Sequence, residues 1–245
     1  MCTLEKRGGV FILTLTGDGE HRLNPSLIDS IRAALARVRS ESSGSSSALI
    51  TKATGKFFSN GLDLDWARRN TDHTTTFADR LRQISIKFRS LVRDLISLPL
   101  PTIAAVTGHA VAGGLVLVLC HDYVLMRKDR GLLYMSELDI GFKVPAWLGV
   151  LMKCKLGSGI GPRAVVMKAV KLTAVAAANM GIVDSVHGNA EETVDAGVEL
   201  GKELVRRRWD GVVYGEIRCV LFADLLSAIE IELSAEDAIT VVSKL

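Results

Sequence analysis

What this chain has little of narrows its function first. Its four cysteines, Cys2, Cys120, Cys154 and Cys219, are scattered through 245 residues. They form no CxxC pair and no Cys/His cluster, so neither a disulfide framework nor a metal site is expected, and free thiols fit a reducing or peroxisome-like compartment. The formal net charge is only +3. That is too small to argue for a nucleic-acid partner, although mild basicity suits a small anionic ligand. The opening MCTLEKRGG has no apolar signal core. The most apolar run, Ile103 to Cys120, is broken by Gly108, His109, Gly113 and Gly114 and flanked by Pro101 and Asp122. It reads as a buried strand plus a helix, and no membrane span is expected. There is no internal repeat.

What is present is apolar residue enough, 48% of the chain, for a substantial core in one large domain or two small ones. Val10–Thr16 alternates as a strand does. Asn24-Pro25 supplies an N-cap and a proline at the first helical position, and Leu27, Ile28, Ile31, Leu35 and Val38 continue at helical spacing to about Arg39. Ser40–Ser47 reads as a flexible loop and Ala48–Thr51 as a buried strand. Phe77, Leu81, Ile84, Phe88, Leu91, Val92 and Leu95 mark an amphipathic helix, stopped by Leu98-Pro99-Leu100-Pro101. Strands follow at Thr102–Val106, Tyr123–Met126 and Leu133–Met135. Ser136–Leu156 mixes loop and helix. Pro162–Ala169 and Ala174–Asn179 read as helices and Ile182–Val186 as a strand. Glu191–Arg208 and Val212–Leu226 read as closing helices. Strand–helix alternation followed by helices predicts an α/β domain with a helical C-terminal part.

Three places hold candidate chemistry. In Phe57-Phe58-Ser59-Asn60-Gly61-Leu62-Asp63-Leu64, Asn60-Gly61 forces a sharp turn, Asp63 is placed to cap the next helix, and the Leu62 N–H is left pointing outward. A plain strand–turn–helix junction explains the same residues equally well. In Pro101–Asp122, the Gly113-Gly114 pair lets backbone approach a ligand, because no Cβ stands in the way; taken alone, an ordinary strand–loop–helix corner with a tight packing contact explains this stretch slightly better. The Leu62 and Gly113 N–H groups together could bind one carbonyl oxygen, as an enolate-forming thioester requires. Glu137, set among apolar neighbours in Tyr134–Gly141, would have its pKa raised by desolvation toward that of a general base at neutral pH. A surface carboxylate is the bland alternative. His109, His121 and Cys120 have no nucleophile motif around them and read as structural. Arg206–Arg208 reads as a solvated helix end.

These blocks, Phe57–Leu64, Gly108–Asp122 and Glu137–Gly141, together with Ala174–Asp184 (AVAAANMGIVD), resemble in order and spacing the crotonase, or enoyl-CoA hydratase/isomerase, superfamily. The similarity runs from about Val10 to Asp184. MCTLEKRG, FFSNGLDL, GHAVAGGL, HDYVLMRKDRG and YMSELDIG most resemble its plant peroxisomal Δ3,Δ2-enoyl-CoA isomerase subgroup. The resemblance implies a spiral of ββα units over residues 1–185 and a helical region over 186–245, within one structural domain. It implies an oxyanion hole from Leu62 and Gly113 and a homotrimer. It also implies that coenzyme A enters only as part of the substrate, with no metal or other cofactor.

Hydratases of this family carry two glutamates. One corresponds to Glu137; the other falls three residues beyond Gly113, where this chain has Val116. Valine holds no water, whereas one carboxylate suffices for a 1,3 proton shift. The implied activity is therefore conversion of 3-enoyl-CoA to 2-trans-enoyl-CoA in β-oxidation of unsaturated fatty acids. Hydration, thioester hydrolysis and non-catalytic acyl-CoA binding are the alternatives. Arg22, Lys56, Asn60 and Leu64 are the implied coenzyme A contacts, although Asp65 stands where some hydratases place a lysine. Phe57, Trp66, Val116 and Trp147 are the implied acyl-pocket lining. Ser243-Lys244-Leu245 matches a peroxisomal targeting tripeptide, implying an import receptor as a partner and the peroxisome as the location.

Overall fold

A computed structural model describes residues 1–42, 46–71 and 73–242, with side chains through residue 233. Part of the Ser40–Ser47 loop and the Ser243–Leu245 tripeptide lie outside the described residues. Two sheets organise the chain. The larger holds β1 (Cys2–Arg7), β2 (Val10–Leu15), β3 (Ala48–Ala53), β5 (Thr102–Val106), β7 (Tyr123–Arg127) and β9 (Ser185–His187), in that order. β1 and β2 pair antiparallel, and every later neighbour is parallel. The smaller sheet holds β4 (Phe57–Ser59), β6 (His109–Val111) and β8 (Leu133–Tyr134), all parallel. The chain thus leaves a long strand, crosses to a short one, and returns through helix: β3 to β4, β5 to β6, β7 to β8. That is the spiral of ββα units.

The helices follow local sequence rules. α1 (Pro25–Glu41) is capped by Asn24, whose side chain accepts the Leu27 N–H at 3.0 Å, with Pro25 at the first turn. α2 (Leu64–Arg69) is capped by Asp63. α3 (Phe77–Ile96) opens with a Thr76/Asp79 capping box, satisfying two otherwise orphaned donors. α4 (Gly113–Leu119) is buried at every residue, as are β2 and β5. It is therefore apolar all round rather than amphipathic. α5 (Ala146–Leu156), the three-residue α6 (Ile160–Pro162) and α7 (Ala174–Asn179) follow, then α8 (Ala190–Arg206), α9 (Gly211–Leu221) and α10 (Ala223–Val242). α8 covers the outer face of the larger sheet, over Val10, Ile12, Ile50 and Ile103.

The structure departs from the sequence expectations at several places. β1 and β6 are strands that no pattern announced. The segment expected as a helix over Pro162–Ala169 is a π-helical turn, Arg163–Met167. The strand expected at Ile182–Val186 starts at Ser185, because Ile182 and Val183 N–H groups still bond back to Ala177 O at the end of α7. The helix expected to span Val212–Leu226 is two helices that break at Phe222. Among the described residues, no helix is long and apolar enough to cross a membrane.

Candidate active site

Two backbone amides meet where β4 and β6 end. After β4 the chain turns at Gly61, whose φ of +77° favours glycine. The Leu23 N–H donates to Gly61 O (2.8 Å) and the Asp63 N–H donates to Leu23 O (3.2 Å). Leu62 is thus held between two bonded neighbours. Asp63 completes the corner by accepting the Trp66 N–H at 2.8 Å. After β6, Ala112 turns the chain into α4 with φ 51°, a left-handed value costly for alanine, and its N–H is fixed on Tyr134 O at 2.9 Å. A Cβ on Gly61 would lie 3.2 Å from the Gly113 nitrogen, and one on Gly113 would lie 3.5 Å from the Leu62 nitrogen. The two amides are therefore neighbours, and among the described residues neither donates to a backbone carbonyl.

The paired glycines have separate tasks. A Cβ on Gly113 would meet only ordinary contacts, on the open side of the corner. A Cβ on Gly114 would stand 2.1 Å from Ser59 O, so glycine there is demanded by backbone packing between α4 and β4. Gly108 is demanded likewise, since its Cβ would meet Lys56 O at 2.3 Å.

Glu137 opens the turn after β8. That turn is closed by Ile140 N–H on Ser136 O (3.1 Å) and Phe142 N–H on Glu137 O (2.7 Å). The Glu137 side chain is half-buried, and its Oε2 is buried with no hydrogen-bond partner among the described residues. Burial pushes its carboxyl above the usual carboxylate range, while hydrogen bonds from the Glu137 and Ser136 amides pull part of the way back. Unpaired buried carboxylate oxygens are rare because they cost free energy. Glu137 itself lines a cavity.

That cavity, of about 380 Å³, is lined by Leu62, Gly113, Val116 and Glu137 together, with Trp147 and Phe88 completing its apolar walls. Its size suits an acyl chain and thioester, within the usual range for small-molecule sites. Glu137 is the one carboxylate in its lining among the described residues. Arg22, Asn60 and Leu64 also line it. Arg22 is held by Glu20 and by Asp65 at 3.3 Å, and Asn60 donates to the same Glu20 at 3.3 Å. Lys56 does not line the cavity: it is exposed, with its ammonium 5.4 Å from the Phe57 ring centre. Phe57 packs on His109, Trp66 faces the Arg80 guanidinium, and neither lines the cavity. Val116 and Trp147 do.

Several lining residues escaped the sequence. Ser85, Phe88 and Arg89 fall at i, i+3 and i+4 of α3, one face of a helix. The spacing was visible, but the two polar side chains hid the face. Phe142 and Lys143 sit in the loop after the Glu137 turn, where no periodicity applies. His109 belongs to β6. His121 is buried between Leu117 O (2.9 Å) and Thr51 Oγ1 (2.8 Å), and burial pushes it down to about 4. Burial pushes the Cys120 thiol up to about 12. Both are structural. A larger depression, of about 750 Å³, lies between α1 and α9. Its carboxylate, Asp210, is occupied in capping α9 through the Val212 and Val213 N–H groups.

The sequence profile described as Enoyl-CoA hydratase/isomerase matches residues 5–213. This chain belongs to that family. It is 54% identical to "Enoyl-CoA delta isomerase 1, peroxisomal" of Arabidopsis thaliana over 226 residues, 92% of this chain and 91% of the relative. It is 48% identical to "Enoyl-CoA delta isomerase 2, peroxisomal" of the same plant, over 95% of this chain and 96% of that one. Among solved structures, an enoyl-CoA isomerase from Mycobacterium tuberculosis superposes with a TM-score of 0.83 at 21% identity, covering 97% of both chains. An enoyl-CoA hydratase from Mycobacterium marinum superposes with a TM-score of 0.82 at 20% identity, over 97% of this chain and 98% of the other. At such identities the superpositions establish the crotonase fold alone. Members of the enoyl-CoA hydratase/isomerase family that are named for different reactions share it, so the fold alone does not fix the reaction.

Proposed function

We propose that this protein is a Δ3,Δ2-enoyl-CoA isomerase acting through one base. The observation that carries this is the cavity's single carboxylate among the described residues. Glu137, with one oxygen buried and unpaired, shares the cavity with two undonated amides, while Val116 occupies the wall where hydration would call for a second carboxylate. The names of the Arabidopsis relatives support the same reaction.

In this account the thioester oxygen of a 3-enoyl-CoA accepts the Leu62 and Gly113 N–H groups. Glu137 removes a C2 proton; the C2–H electron pair moves into the thioester, and charge develops on the oxygen facing the two amides. Such donors act most strongly where charge appears in the transition state, each worth about 3–4 kcal/mol of barrier. Glu137, now protonated, delivers the proton to C4 of the dienolate, and the C3–C4 double bond becomes C2–C3. One carboxyl takes and returns the proton, so the reaction balances without a redox cofactor or metal. The raised pKa of Glu137 fits both halves, because burial makes the carboxylate a stronger base than usual toward the C2 proton while the carboxyl can still return it.

Arg22, Asn60 and Leu64 are proposed to meet the coenzyme A portion at the cavity mouth. The peroxisomal names of the relatives and the terminal Ser243-Lys244-Leu245 support a peroxisomal location through an import receptor. The outward face of α9, with Val212, Val213, Ile217, Val220 and Leu221 all more than half exposed, supports self-association, and the family resemblance is what suggests a trimer. The test is direct. Purified protein is mixed with 3-hexenoyl-CoA and the conjugated thioester is followed by absorbance. Folded protein that produces no conjugated product refutes the proposal.

A further inference from the structure

The wall of the cavity formed by α3 and α5 holds a charge that the proton shift does not use. Arg89 is 4% exposed and lines the cavity beside Ser85, Phe88, Trp147 and Leu148. Its Nη1 lies 3.2 Å from Oε2 of Glu232 on α10. The other oxygen of Glu232 accepts the Trp147 N–H at 3.4 Å. Trp147 stands in the first turn of α5, whose own N-cap, Pro145, has no side chain that can accept. Glu232 therefore supplies from a distant helix what α5 lacks locally, and the Arg89–Glu232 pair fastens α10 across α3 and α5.

This wall is continuous with the amide pair. The Phe88 ring edge lies 3.5 Å from where a Gly113 Cβ would stand, and the Phe88 and Trp147 rings meet edge-on at 6.1 Å between centres. From Gly113 the lining runs through Phe88 and Trp147 to Arg89: apolar first, then charged. A hydrocarbon tail gains by packing along the rings. It loses where it would press on this ion pair, because the buried Arg89 keeps its charge there only by keeping the half-buried Glu232 as a partner.

We propose that the Arg89–Glu232 ion pair is the specificity-determining end of the acyl site and sets the longest straight hydrocarbon tail the cavity accepts. This rests on the acyl-thioester function proposed above. Tails that end against Phe88, Trp147 and Leu148 are favoured; longer ones must displace Glu232 and loosen α10.

Two measurements test it. In the first, saturated acyl-CoAs from butyryl to palmitoyl compete with 3-hexenoyl-CoA on the wild-type enzyme. Inhibition should tighten by about fourfold per methylene and then stop tightening at a defined length. Tightening that continues unbroken to palmitoyl-CoA overturns the proposal. In the second, the wall is made apolar with Arg89→Met combined with Glu232→Met. The kcat/KM ratio for 3-dodecenoyl-CoA over 3-hexenoyl-CoA should rise about tenfold or more, and the length limit in the competition series should move outward. A folded double variant whose ratio and limit match the wild type overturns the proposal. If the double variant does not fold, the wild-type series alone decides. If wild-type protein neither binds nor isomerises any member of the series, the acyl-thioester function itself fails and this inference fails with it. Activity without a length limit sinks only the inference.

Discussion

Replacing Glu137 by glutamine separates the cost of this carboxylate from its use. The carboxamide keeps the side chain's shape but cannot take a proton. A positioned base contributes about 10²–10⁴-fold, and among the described residues the cavity lining offers no second carboxylate to stand in. The loss in kcat should therefore reach the upper part of that range, about 10³-fold or more, equivalent to about 4 kcal/mol of barrier. Stability should move the other way. Burial raises the folded-state pKa of Glu137 above its unfolded value. The folded state then holds its proton more tightly, so the group's favourable contribution is complete below the unfolded pKa and lost as pH rises through the folded one. At pH 8 the wild type carries a buried charge with one oxygen unpaired, and Glu137→Gln removes it. The variant's Tm should exceed the wild type's at pH 8, and the difference should close toward pH 4. The same ionisation gives wild-type kcat/KM a rising acid limb with its midpoint above the usual glutamate range. The assay is conjugation of 3-hexenoyl-CoA alongside thermal melts across pH. Activity within threefold of wild type refutes the base assignment, and a Tm lower at pH 8 than at pH 4 relative to wild type refutes the desolvation argument.

Gly113→Ala should fold, since its Cβ meets nothing closer than 3.5 Å. Its methyl beside the Leu62 N–H should lower kcat by about 10²-fold or more. Gly114→Ala should fail to give soluble folded protein because its Cβ would meet Ser59 O at 2.1 Å; a normal melt for that variant contradicts the packing argument. Val116→Glu places a second acid in the cavity at a position 1% exposed. It should lower Tm, and like-charge repulsion should move the acid limb of the pH profile further upward. Hydration of crotonyl-CoA, followed in the same samples, reports whether two carboxylates hold a water there. Arg22→Ala should raise KM with kcat nearly unchanged, the mark of lost uniform binding. Lys56→Ala should change KM less, since Lys56 lies outside the cavity lining; equal effects from the two variants would contradict the placement.

Much of this was legible because local rules agreed with the final packing. Asn24-Pro25 marks the start of α1, Asn60-Gly61 marks the corner after β4, and the alternating or continuous apolar runs mark β2, β3, β5 and β7. What escaped is set by tertiary context. β1 (CTLEKR) is an edge strand that is exposed or half-exposed throughout, so it carries no buried alternation to read. β6 (HAV) is three residues long and is a strand only because β4 and β8 flank it. The break at Phe222 interrupts an apolar pattern that local sequence alone would carry on. In the site, Glu137 and the two amides could be proposed from turn chemistry and a carboxylate among apolar neighbours. Arg89 could not, because a charged residue on a helix is ordinarily taken for solvated surface, and its partner lies 143 residues further on. Lys56, by contrast, sits outside the cavity lining with its ammonium over the Phe57 ring, a placement that its neighbours in sequence do not reveal.

The central claim, that one carboxyl both removes and returns the proton, is tested most directly by isotope transfer. 3-Hexenoyl-CoA deuterated at both C2 positions is converted by the wild-type enzyme in ordinary water, and the product is examined by NMR and mass spectrometry. One-base chemistry in a cavity screened from solvent predicts 2-hexenoyl-CoA that keeps one deuterium at C2 and carries deuterium at C4. Product whose newly added C4 hydrogen comes wholly from solvent, at the earliest conversions measured, would contradict it.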